Sequence, residues 1–110
     1  MPSVTGTISG SFNSFEGRWI VDGHLAEFHG NINPSVERWD SNATLEYDEI
    51  DDLAGASVVG PAGLPSYVGA DSTSLTLIGQ GGKQVKITGN LTIPISQRIT
   101  ISGQGVWTVR

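Results

Sequence analysis

A chain of 110 residues with six basic against eleven acidic side chains carries a formal charge of -5, which repels phosphate backbones and anionic lipid, so neither nucleic acid nor a membrane is an expected partner. There is no cysteine, which removes a disulfide framework, a thiolate nucleophile and a cysteine-based zinc site. With 37% hydrophobic and 15% charged residues and 15 glycines, the composition favours strands and turns over helices in one domain, residues 1–110.

The pattern predicts an all-β fold: a small antiparallel barrel of about seven or eight strands, connected mostly as hairpins and bent at glycines, with a β-sandwich as the alternative. The N-terminus, Met1-Pro2-Ser3-Val4, has neither a basic start nor an apolar stretch, and no run approaches a membrane span, so a soluble, cytoplasmic protein is expected. In that setting the two glycosylation sequons, Asn42-Ala43-Thr44 and Asn90-Leu91-Thr92, read as chance.

The first strand alternates Val4, Gly6, Ile8, Gly10 and Phe12 inward with Thr5, Thr7, Ser9 and Ser11 outward. Asp22-Gly23 follows as a two-residue turn that accepts positive φ. Folding there sets Trp19 opposite Ala26 and Gly17 opposite Phe28 on an apolar face, with Arg18 against Glu27 and Glu16 against His29 on the other. Residues 33–42 read as a loop or short helical turn, and 43–50 as a strand with Leu45 and Tyr47 inward. From Asp51 to Asp71, prolines and glycines predict a long excursion holding a short strand at Ser57-Val58-Val59.

A second hairpin turns on Gln80-Gly81-Gly82, facing Leu77 with Val85 and Leu75 with Ile87. Odd residues from Val85 to Ile95 then form one period-2 row, and Ile99 to Val109 repeat it after a turn at Ser96-Gln97-Arg98. Hairpin pairing across that turn predicts Ile93 against Ile101, Gly89 against Gly105 and Ile87 against Trp107, with two glycines bending the sheet.

Chemistry-bearing residues are sparse, and no catalytic residue, metal site or cofactor is assigned. Glu46, Asp48, Glu49, Asp51 and Asp52 form an acidic run without calcium-loop spacing, read as a solvated strand end. The candidate ligand-binding residues are Trp39 and Arg38, in the charged stretch Glu37 to Asp40, with Tyr47, Tyr67 and His24, the last pointing to the core side, at the barrel mouths. Trp39 reads equally as an exposed anchor or as a lid over the barrel end.

The outer rows of the first and the last two strands are almost free of charge and rich in Thr, Ser, Gln and Asn. If the N-terminal strand closes on the C-terminal one, these rows merge into a flat hydroxyl surface suited to a sugar or a second subunit. The leading expectation is a non-enzymatic binding module for a carbohydrate or small apolar ligand. The alternatives are an interaction protein forming homo-oligomers through the uncharged face, and a small isomerase or cyclase using His24 with Tyr47 or Glu49.

Overall fold

The computed structural model describes residues 3–60, 66–79 and 82–110, and in it the chain forms a single closed antiparallel sheet. Its strands are β1 (Ser3–Val21), β2 (His24–Glu46), β3 (Gly55–Val59), β4 (Ser66–Val68), β5 (Ser72–Gly79), β6 (Gln84–Asn90) and β7 (Ile99–Val109). The ring runs β2-β6-β5-β3-β7 and back to β2, while β4 bridges β5 and β7 beyond the end of β3. Among the described residues no helix is long and apolar enough to cross a membrane.

The first hairpin forms in the expected register, with Trp19 paired to Ala26, Arg18 to Glu27, Gly17 to Phe28 and Glu16 to His29. Asp22 and Gly23 take φ of 50° and 81°, the left-handed pair that a two-residue turn needs. On the outer face Glu27 accepts Arg18 at 3.2 Å and Arg110 at 3.5 Å, tying the end of the chain to the hairpin. The second hairpin also pairs as read, with Leu77 on Val85 and Leu75 on Ile87. Gly79 N–H donates to the Lys83 carbonyl at 2.9 Å across its turn, of which Gln80 and Gly81 lie outside the described residues.

Three expectations fail on connectivity. Residues 33–42 are strand, because β2 runs unbroken through them as the partner of β1 along nearly its whole length. The supposed pairing of 85–95 with 99–109 does not form: β6 stops at Asn90, and Thr92 and Ile95 donate instead to the Asp40 and Ala70 carbonyls. β7 pairs with β2, β3 and β4, so Gly105 meets Gly30 rather than Gly89, and Ile93 is 73% exposed. Nor does the N-terminal strand close on the C-terminal one; β1 is registered only with β2.

The long β1-β2 ribbon is bent where register shifts flank Phe12. Even residues such as Ile8 face inward before the bend, and odd residues such as Phe15 and Trp19 after it. Phe12, expected inward, is therefore 72% exposed, with φ of 56°. That conformation is costly for a side chain with a Cβ. Phe12→Gly is expected to leave stability unchanged or raise it by up to about 1 kcal/mol in urea titrations. A loss beyond about 1 kcal/mol would mean that the exposed ring holds the bend.

Side chains fill the interior. Phe15, Phe28, Trp107 and Trp19 form a chain of tilted aromatic contacts at centroid distances of 5.6, 4.9 and 5.8 Å, around which Leu45, Leu53, Leu75, Leu77 and Ile87 are fully buried. These rings occupy room left by Gly17, Gly30 and Gly105, where an added Cβ would run into Trp19, Phe15 and Phe28 respectively.

Candidate functional site

Cross-strand register assembles a regular polar surface on the outside of the barrel. Thr5 pairs with Thr44, Thr44 with Thr88, Thr88 with Ser74, Ser74 with Tyr67, and Tyr67 with Thr100. Six strands thus contribute one hydroxyl-bearing residue each to a single row, at the strand spacing of about 4.8 Å. These side chains point outward because their chain neighbours Leu45, Ile87, Leu75, Ser66 and Val68 are buried. The β1-β7 seam on which the expected hydroxyl surface depended does not form; this row is joined instead through the C-terminal half of β2 and through β6.

At its centre lies a shallow depression of about 430 Å³ lined by Asn42, Thr44, Tyr67, Ser74, Thr88 and Asn90, with Lys86 as its one charged residue. Asn42 Oδ1 accepts the Asn90 backbone N–H at 3.0 Å, and Ser41 Oγ donates to the Asn90 carbonyl at 3.0 Å, which fixes this edge of the depression. On the other edge Thr73 Oγ1 donates to the Tyr67 carbonyl at 2.9 Å. The Arg98 guanidinium lies 3.7 Å from the centroid of the Tyr67 ring, a cation-π contact that holds both side chains. Hydroxyls and amides that donate and accept, beside one aromatic ring and few charges, are chemically suited to a polyhydroxylated ligand.

The five candidate residues do not converge. Tyr67 lines this depression, whereas Arg38 lines a separate cleft at the ribbon bend. Trp39 is 2% exposed within β2, so the reading of an exposed anchor is corrected: a bulge turns its indole into the core. His24, expected on the core side, is exposed at the start of β2 with Nδ1 3.2 Å from the Arg110 carbonyl. Tyr47 is buried as expected, and Glu49 is exposed, capping a short 3-10 turn (Ile50–Asp52) in which its backbone N–H donates to Asp52 Oδ2 at 3.2 Å. Among the described residues, no three His, Asp or Glu side chains come together as a metal site.

Thr44, Ser74 and Thr88 are the residues that sequence reading did not single out; their signal was alternation with buried leucine and isoleucine. No protein-family model matches the chain, and no characterised protein matches it in sequence.

Proposed function

We propose that the protein is a non-enzymatic binding module whose outer wall takes carbohydrate in the depression between Tyr67 and Asn90. The observation that carries this reading is the unbroken hydroxyl row across six strands, in which Tyr67 also supplies an aromatic ring. A sugar presents hydroxyls that donate and accept together with weakly apolar C–H faces. The row answers the first and Tyr67 the second. A filled interior favours this outer site over an apolar ligand held inside the barrel.

The test is a glycan array followed by titration calorimetry on the hit. Saturable binding is expected, weakened by about tenfold or more in Tyr67→Ala and in Thr88→Val, each a loss of roughly 1.4 kcal/mol. A uniformly blank array with protein that retains its circular dichroism and melting behaviour overturns the proposal. If that same protein sediments as a dimer, the wall serves self-association instead.

A further inference from the structure

We propose a second site, independent of the hydroxyl wall, that binds a zwitterionic amphiphile, meaning a small peptide-like molecule with a free ammonium, a free carboxylate and a large apolar side chain. At the ribbon bend the outer surface opens into a cleft of about 450 Å³, lined among others by Ser9, Ser14, Glu16, His29, Arg38 and Asp40. Its titratable groups divide into two pairs that behave differently. Glu16 is already engaged, by His29 Nδ1 at 3.3 Å and by Arg18 at 3.5 Å. Arg38 and Asp40, exposed in β2, enter no ion pair among the described residues.

Arg38 and Asp40 flank the buried Trp39 and are both exposed, so they lie on the same outward side of β2. The cleft therefore offers one cation and one anion side by side. A singly charged ligand would leave one of them unanswered; a carboxylate on Arg38 and an ammonium on Asp40 satisfy both.

His29 and Asn31 belong equally to a neighbouring groove of about 460 Å³, whose other walls include Ala56, Val58, Ile78 and Val106. Register makes this groove continuous with the cleft, since His29 pairs with Val106, Val106 with Ala56, and Val58 with Ile78. Val58 and Val106 are 48% and 53% exposed, so an apolar side chain laid across them removes hydrocarbon from water on both partners. His29, in contact with Glu16, is thus the step between a polar head site and an apolar body site.

The experiment is a backbone amide NMR titration of the whole chain with the dipeptide Leu-Phe, and in parallel with its N-acetylated, C-amidated form. Saturable shifts are expected at Arg38, Asp40, Val58 and Val106, with affinity falling about tenfold or more for the blocked peptide, for Arg38→Gln, for Asp40→Asn and for Val106→Asp. All three substituted side chains are exposed, and the spectrum of each free variant reports directly that it is folded. Tyr67→Ala should bind the dipeptide unchanged, which separates this site from the wall. No saturable shift, equal affinity for the blocked peptide, or shifts confined to the groove would each overturn the proposal.

Discussion

Replacing Gly6 with alanine is expected to lower the free energy of unfolding by about 3 kcal/mol, the upper end of the range for overpacking a core. Gly6 pairs with Ala43, and a Cβ there would overlap the Arg18 carbonyl oxygen, with Trp19 Cγ only 3.0 Å away. The obstacle is backbone rather than the end of a flexible side chain, so relief requires the two arms of β1 to separate where they meet across the bent ribbon. Gly79→Ala is the control. Its Cβ would lie 3.4 Å from Ser57 Oγ, an ordinary contact, and a change within about 1 kcal/mol is expected. Urea titrations of the two variants decide the matter, and equal tolerance at both positions would mean that the arms of β1 do not touch.

Trp19→Ala should be more damaging still, at about 3–5 kcal/mol, a large share of the 5–15 kcal/mol that holds a typical domain together. Trp19 stacks on Trp107, and its Nε1 donates to the Ala43 carbonyl at 3.0 Å in a buried bond. That bond links the C-terminal arm of β1 to the C-terminal half of β2, while Trp19 itself is registered with Ala26 in the other half. It therefore pins the bend from inside the barrel. The indole nitrogens of Trp39 and Trp107 are buried with no hydrogen-bond partner among the described residues. Trp107→Phe removes an unsatisfied N–H along with volume, whereas Trp19→Phe removes a satisfied one, so the latter is expected to cost about 1–2 kcal/mol more. Similar losses in the two phenylalanine variants, measured by urea titration, would sink that account.

The parts legible from sequence were those fixed locally. Asp22-Gly23 dictated a turn type, and the alternation on either side could satisfy only one register, so the twelve residues from Glu16 to Val21 and from His24 to His29 followed from the chemistry of one hairpin. Burial in β7 was legible for the same reason: Ile101, Gly105 and Trp107 face inward whichever strand lies beside them. The partner of β7 was not legible. Adjacency in sequence favoured 85–95, but the strand pairs instead with residues 26–33, and nothing in its own pattern distinguishes the two.

The break in alternation between 33 and 42 was read as a break in the strand, when it marks a bulge within a continuous one; Trp39 was misplaced by that parity change. For the candidate site, the composition of the wall was visible, but its centre was not. Thr44, Thr88 and Ser74 become neighbours only once β2, β6 and β5 are set side by side.

One edge of β2 carries β7 along residues 26–33 and β6 along 44–46, while β1 takes the other. No N-terminal fragment of the chain can therefore complete the ring. During synthesis, the apolar side of the ribbon, with Trp19, Phe28 and Ile32, stays bare until residues 99–109 leave the ribosome, and pairing at so long a separation is slow. A nascent chain halted before Ile99 would present an open, sticky strand edge to chaperones and proteases.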